Sequence, residues 1–371
     1  MNIFFNFKKS SLCFDHPVFI ISCYSFENVP RAFEQIEGAL AQGLHVAGFF
    51  SYELGYAFEE TFSAYDLNGF PLIYVGCYEK LQRSNNQMPA VGGPCDVRNI
   101  RFNLSRKKYS KHINIIRSYL QAGDVYQITY CLKILFDFDG NAFDLYKKLF
   151  AVQPVPYAAY VETDHYRIAS LSPELFLYKK GRKILSKPMK GTWPRGRNFF
   201  SDMAARYKFY HDEKNRAENV MITDLLRNDL GRIGKNIHVP RLFEVTPYRK
   251  LFQMTSTVAA DIDSDVPLRD LFRSLFPSGS VTGAPKIRAM EIIHELEDEP
   301  RNIYTGAIGY IKPDKDLFMN IPIRTALINK TNGKGEMGIG GGIVWDSTAD
   351  GEWAEGILKA RFFTDGRFCR G

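Results

Sequence analysis

No stretch of the 371 residues approaches 18 consecutive apolar positions, so no membrane-spanning helix is expected. The segment from Met1 to Lys9 puts its short apolar run before its charges, which is not the layout of a signal peptide. The six cysteines, Cys13, Cys23, Cys77, Cys95, Cys131 and Cys369, form no Cys-x-x-Cys pair. A chain this long needs no disulfide framework, so they read as reduced thiols of a cytoplasmic protein. No His/Cys set has zinc spacing, and there is neither a low-complexity segment nor a short repeat. Concentrated positive charge is missing too. The net charge is +7, but the densest group is only Arg106-Lys107-Lys108 with Lys111 nearby. That argues against a nucleic-acid groove, whereas a modest positive field suits a small dianionic substrate.

What is present is ample material for a core, with 45% hydrophobic and 14% aromatic residues. Short β-branched and aromatic runs predict strands over 17–23, 46–52, 72–81, 125–136, 158–162, 166–169 and 175–179, with strand-rich stretches at 304–311, 316–329 and 336–345. Helical spacing predicts helices over 29–42, 105–122, 212–230, 286–296 and 352–361, with Ser105 as an N-cap. Strands in runs with few βαβ units argue for an α+β fold with antiparallel sheets. The polar stretch 83–99 is the best candidate linker.

Within the 212–230 helix, Ala217, Val220, Met221, Ile222, Leu225 and Leu226 form an apolar side. Glu218, four residues before Ile222 and seven before Leu225, is expected to point with it. An inward carboxylate must be paired, for instance with Arg216 or Arg227, or bound to a metal. In the last helix Glu352, Glu355 and Lys359 fall at i, i+3 and i+7 on one face. A solvated charged face is the ordinary fate of such a pattern. Here it follows the run Gly338-Ile-Gly-Gly-Gly342, which allows close backbone approach to a ligand, and hard oxygen ligands would suit Mg²⁺. Ser278-Gly-Ser-Val-Thr-Gly-Ala-Pro-Lys286 precedes a helix and is either a structural turn or a carboxylate cradle; its spacing is not that of a Walker loop. Arg324, in a strand-like run over 321–326, needs a carboxylate from the protein or from a ligand.

These residues sit in motifs that resemble the chorismate-utilising enzymes, a family that includes anthranilate, aminodeoxychorismate, isochorismate and salicylate synthases. The matching runs are Gly123-Asp-Val-Tyr-Gln127, Ser172-Pro-Glu174, Pro188-Met-Lys-Gly-Thr192, Arg216 through Gly231, Ser278 through Lys286, Tyr304 through Tyr310, Ile323-Arg-Thr325 and Gly340-Gly-Gly342, with a weaker echo at Ala47 through Gly55. The resemblance implies one large domain over 1–371, in which 1–100 is the N-terminal portion and 101–365 holds the motifs. It also implies two stacked antiparallel sheets flanked by helices, and so no boundary at 83–99.

The resemblance further implies Glu218 and Glu355 as Mg²⁺ ligands, with Glu352 in the water shell. Gly191, Thr192, Ser280, Thr282, Tyr304, Arg324, Gly340, Gly341, Gly342 and Lys359 would hold the substrate chorismate, and Glu174 would be the general acid/base. Gln127 stands where water-using members carry Lys, which implies ammonia as nucleophile. Lys190 stands where anthranilate synthases carry Ala and aminodeoxychorismate synthases carry Lys. The implied reaction is attack of Lys190 at C2 and amination at C4 to 4-amino-4-deoxychorismate, a step toward 4-aminobenzoate and folate. A separate glutaminase subunit would supply ammonia, because no Cys-His-Glu glutaminase set is visible, and a separate lyase would act next. Gln253 replaces a His common in ammonia-using relatives, and no Leu-Leu-Glu-Ser motif for tryptophan feedback is found. The competing expectations are an anthranilate synthase and a non-catalytic relative.

Overall fold

Burial of both faces of the central strands sets the architecture. A computed structural model describes residues 1–7, 10–62, 65–84, 93–248 and 251–364. Two ten-stranded antiparallel sheets stack face to face. The first runs in the order Gly283–Ala284, Gln127–Gly140, Lys334–Ile343, Thr325–Asn329, Tyr166–Ser172, Tyr157–Glu162, Asn2–Phe7, Ser10–Phe14 and Gln82–Ser84, with Cys95–Phe102 also on Gln127–Gly140. The second runs Met189–Pro194, Leu251–Ile262, Lys183–Lys187, Leu175–Lys180, Leu317–Asn320, Ala307–Ile311, His45–Phe50, Ile73–Tyr78 and Phe19–Cys23, with Gly234–Pro247 also on Leu251–Ile262.

Between the sheets lies an aromatic layer including Phe5, Phe7, Phe14, Phe49, Tyr74 and Tyr78, closed by contacts such as Phe7 on Phe318 at 4.2 Å between ring centres. Ring pairs of this kind add to the area term of burial. Eight helices are described: α1 (Val29–Ala41), α2 (Arg106–Ala122), α3 (Ala142–Val152), α4 (Phe199–Tyr210), α5 (Glu213–Gly231), α6 (Leu268–Leu275), α7 (Lys286–Leu296) and α8 (Ala349–Thr364). Helices α1, α5 and α6 share a core with the second sheet. The first sheet is covered by α3 and α8 in one cluster and by α2 and α7 in another. In both sheets a block of strands from before residue 100 hydrogen-bonds directly to strands from after it, Asn2–Phe7 to Tyr157–Glu162 and His45–Phe50 to Ala307–Ile311, so the whole forms one α+β domain.

The predicted Ser105 cap is in place, and α5 has a cap that was not predicted. The Ser105 hydroxyl accepts from the Lys108 amide at 3.2 Å, and the Asp212 carboxylate caps α5 through the Asn215 amide at 2.9 Å. Other expectations are corrected. The end of the 83–99 stretch is the strand Cys95–Phe102 (residues 85–92 lie outside those described). On α5 the buried stripe is Asn219, Ile222, Thr223, Leu226, Asp229 and Leu230, while Ala217 and Val220 face outward. Glu218 therefore sits at the edge of the stripe. The predicted strand run over 316–329 splits: Leu317–Asn320 belongs to the second sheet and Thr325–Asn329 to the first.

Candidate active site

The chain passes between the sheets at two points that lie side by side. One is residues 173–174, between Tyr166–Ser172 and Leu175–Lys180; the other is residues 321–324. The Ile321 amide donates to the Glu174 carbonyl at 3.1 Å, and the Ser172 hydroxyl donates to the Ile321 carbonyl at 2.5 Å, so the two crossings are stitched together. Glu174 and Arg324 sit on these crossings, and Arg324 is not inside a strand as its neighbours suggested. Its φ of 54° is left-handed, a strain that persists only where the surroundings hold it. Thr305, next to Tyr304, has φ 60°, unusual for a β-branched residue, and its hydroxyl donates to the Tyr304 carbonyl at 2.6 Å.

Lys190 comes from the second sheet, on Met189–Pro194. A register shift between Met189 and Thr192 accommodates Gly191, whose φ is 89° and where a β-carbon would lie 2.6 Å from Asn215 Oδ1. Gln127 and Gly342 come from the first sheet, on neighbouring strands. A methyl group placed on Gly342 would lie 3.0 Å from Lys190 Nζ and 3.1 Å from Gln127 Nε2. Lys190, Gln127 and Gly342 thus surround one point between the sheets. Gln127 is fully buried, and neither end of its amide has a hydrogen-bond partner. Lys190 makes no ion pair or hydrogen bond among the described residues. Burial pushes its ammonium below the ordinary lysine range, Lys359 pushes the same way, and Glu218 and Glu174 oppose.

Glu174 is 3% exposed and accepts from the Ser280 hydroxyl at 2.7 Å. Burial raises its pKa; Ser280, Lys190 and Arg324 hold the rise in check. Arg324 likewise has no ion pair among the described residues, and burial pushes its pKa down against Tyr248, Glu174 and Tyr304. The glycine run continues the wall. A methyl on Gly341 would lie 2.9 Å from Glu352 Oε2, and one on Gly340 3.0 Å from the Tyr304 hydroxyl. Lys359 Nζ donates to the Gly340 carbonyl and pairs with Glu355, each at 2.8 Å. The Thr282 hydroxyl is spent within its own turn on the Ser278 carbonyl at 3.0 Å. Thr192 is exposed and no hydrogen bond ties it to the others.

The three carboxylates on α5 and α8 sense one another. Burial raises the pKa of Glu218 and of Glu352, and the charge of Glu355 raises both further. Burial also acts on Glu355, but the Lys359 ammonium outweighs it and holds that carboxyl below its usual range. Neither alternative partner takes Glu218: Arg227 pairs with Asp224, and Arg216 lies over the Phe243 ring at 4.5 Å. Among the described residues no group of three or more His, Cys, Asp and Glu side chains is close enough to form a metal cage. The donor chemistry still fits Mg²⁺, which binds through one or two carboxylates and keeps waters or substrate oxygens for the rest.

Residues 82–365 match the chorismate binding enzyme family. The chain belongs to that family. Curated relatives include aminodeoxychorismate synthase component 1 of Klebsiella aerogenes, 38% identical over 70% of this chain and 57% of that one, and its Bacillus subtilis counterpart, 38% identical over 68% and 54%. Anthranilate synthase component 1 of Aquifex aeolicus is 34% identical over 72% and 54%. The chain thus matches a little over half the length of each. The solved anthranilate synthase component I of Streptococcus pneumoniae superposes with a TM-score of 0.81 at 25% identity, covering 95% of this chain and 92% of that one. The menaquinone-specific isochorismate synthase of Escherichia coli superposes at 0.75 and 15% identity, covering 97% and 86%, and shares the fold.

Behind the family motifs stands a group that the sequence did not reveal. Arg301 is 2% exposed and pairs with Glu297 at 2.6 and 2.8 Å. It also donates to the Val281 carbonyl at 2.8 Å and the Thr129 carbonyl at 2.6 Å, and lies 4.5 Å from the Tyr52 ring centre. Val281 lies between Ser280 and Thr282, and Thr129 is two residues from Gln127. Arg301 therefore clamps the Ser280 turn to the Gln127 strand. Glu53 accepts from the Arg301 amide at 2.7 Å, and burial pushes its carboxyl up to about 7. The i, i+4 spacing of Glu297 and Arg301 was the available signal, but that spacing is usually a surface pair.

Proposed function

We propose that the chain is the chorismate-aminating component of an aminodeoxychorismate synthase, forming 4-amino-4-deoxychorismate from chorismate and ammonia. The observation that carries this reading is the convergence of Lys190 Nζ and the unpartnered Gln127 amide around Gly342. A partly buried lysine without an ion pair keeps more of its amine in the neutral, nucleophilic form. Lys190 attacks C2 of chorismate, the two conjugated ring double bonds each shift by one position, and the C4–O bond breaks. Glu174, whose raised pKa keeps a proton available, protonates the departing hydroxyl, which leaves as water. Ammonia then forms the C4–N bond, both double bonds shift back, the C2–N bond to Lys190 breaks, and the new C4 ammonium returns a proton to Glu174. Gln127 has no basic group at neutral pH, so water at its position is not activated.

Arg324, Ser280, the Gly340–Gly342 amides and Lys359 hold the substrate carboxylates, with Tyr304 closing one side and Gly191, Thr192 and Thr282 shaping the turns around it. Glu218 and Glu355 would hold Mg²⁺, with Glu352 in its water shell, and the ion would neutralise the ring carboxylate and organise the site for loss of the C4 hydroxyl. A glutaminase subunit supplies ammonia, a separate lyase consumes the product on the way to 4-aminobenzoate and folate, and the reaction runs in the cytoplasm.

The relatives named anthranilate synthase keep a second reading in play, and one experiment separates the two. Incubation with chorismate, Mg²⁺ and ammonium should give 4-amino-4-deoxychorismate by mass and chromatography, and Lys190→Ala should lose this product. Fluorescent anthranilate from the unmodified protein, or full activity in Lys190→Ala, would refute the reading. Absence of any turnover would favour a non-catalytic relative.

A further inference from the structure

Helix α4 is amphipathic in the wrong sense for a surface helix. Its inward side is narrow: only Phe209 is buried, with Ala205 packed beside it. The opposite side carries Phe199, Phe200, Met203, Tyr207 and Tyr210, exposed by 71, 82, 58, 68 and 42%. At 100° per residue these five fall within one arc of about 100°. With about 200 Å² per aromatic side chain, they expose on the order of 600 Å². A lone patch of that size is at the upper end for a monomer and approaches the roughly 800 Å² per partner of an ordinary interface.

Three further features constrain what covers it. Arg197, Arg206 and Lys208 are exposed on or beside the helix and have no ion pair among the described residues. Asp202 is already taken by Arg195 at 2.6 and 2.7 Å. The rim is therefore positive, which fits a partner with carboxylates around an apolar groove. A second copy on a two-fold axis would bring the same positive rim against itself, so self-association is disfavoured. The third feature is position. The Arg195–Asp202 clamp joins α4 to the end of Met189–Pro194, the strand that carries Lys190, and α4 packs on that strand. A protein seated on α4 rests on the outer side of the segment that holds the nucleophile.

We infer that the aromatic face of α4 is the docking surface for the ammonia-supplying amidotransferase subunit, through an acid-rimmed apolar groove on that subunit. This rests on the proposed ammonia chemistry, and the test separates the two. Phe200→Asp with Tyr207→Asp changes only exposed side chains. The unmodified and doubly substituted proteins are assayed with ammonium alone, and then with glutamine and the purified glutamine amidotransferase subunit of the same organism. The expected result is unchanged ammonium-dependent turnover and a loss of about thirtyfold or more in glutamine-dependent turnover, the size expected when interface anchors are removed.

Equal glutamine-dependent turnover in both proteins would overturn the inference, as would an unmodified protein that turns over with ammonium but not with glutamine and the subunit. Parallel loss of both activities would also overturn it, making α4 part of the site itself. A dimer in solution, or binding to anionic phospholipid vesicles, that the double substitution abolishes while glutamine-dependent turnover persists would assign the face to a second copy or to a membrane. Failure of the unmodified protein with ammonium would count against the amination chemistry, and loss of subunit binding in the double variant, read by sedimentation, would then still support the surface.

Discussion

The two walls of the cleft treat polar groups in opposite ways. On the rear wall Arg301 and Glu53 are buried, the Glu297 side chain is only 8% exposed, and each has protein partners. On the front, Lys190 and Arg324 lack ion pairs among the described residues, and Gln127 is buried with both ends of its amide unpartnered. Buried polar groups in native proteins are nearly always satisfied, so the exceptions need an explanation. The rear wall is scaffolding that holds the Ser280 turn against the Gln127 strand. Gln127 is fully buried and Lys190 and Arg324 are partly buried, all without the partners the rear wall has, which accords with the reactive site proposed above.

Substitutions should divide along the same line. The largest expected effect is at the rear. Arg301→Met leaves the nearly buried Glu297 carboxylate with only the Cys131 amide and should cost about 3–5 kcal/mol of stability, read from urea unfolding. A loss under 1 kcal/mol would mean that the clamp is not structural. At the front, Gly342→Ala puts a methyl group against Lys190 and Gln127 and should lower chorismate turnover on the order of 10²-fold, while the unfolding midpoint barely moves. A matching loss of stability would erase the contrast.

Glu53 gives an effect that depends on pH. Its folded-state pKa of about 7 lies above the ordinary 4.5, so the folded protein binds the extra proton between those values. Its contribution to stability is fully present below pH 4.5 and is lost as the pH rises through 7. Glu53→Gln keeps the acceptor for the Arg301 amide and removes the charge. It should therefore gain on the order of 2 kcal/mol relative to the unmodified protein between pH 5 and 8. Parallel pH curves for the two proteins would contradict this. The smallest effect belongs to neither wall: Ser105→Ala removes the cap of α2 and should cost about 1 kcal/mol with no change in turnover.

Much of this was legible in the residues. Helix α2 follows from its Ser105 cap and apolar spacing, and α7 and most central strands from apolar spacing alone, because those elements bury a well-defined face; α5 was found as a helix although part of its expected apolar side faces outward. Helix α4 was missed because its apolar residues face outward and leave no inward stripe to read. Gly234–Pro247 was missed because its pairing shifts register three times, which breaks the alternation of a regular strand. The placement of Glu174, Lys190, Gln127 and Arg324 in one cleft came from family resemblance and not from periodicity. Spacing along the chain says nothing about where a chain crosses between sheets. The Arg301 clamp joins residues 129, 281, 297 and 301, which no local pattern connects.

The pairing of early strands with late ones also bears on how the protein is made. Ala307 pairs with Phe50, and 307 − 50 gives 257 residues between their syntheses. At about 5–20 residues per second, the strand His45–Phe50 waits roughly 13–50 s for its neighbour Ala307–Ile311. During that interval the edge it will offer to that neighbour is an open template for other chains. Translation speed and access to holdase chaperones, more than final stability, should therefore govern how much of this protein a cell recovers in folded form.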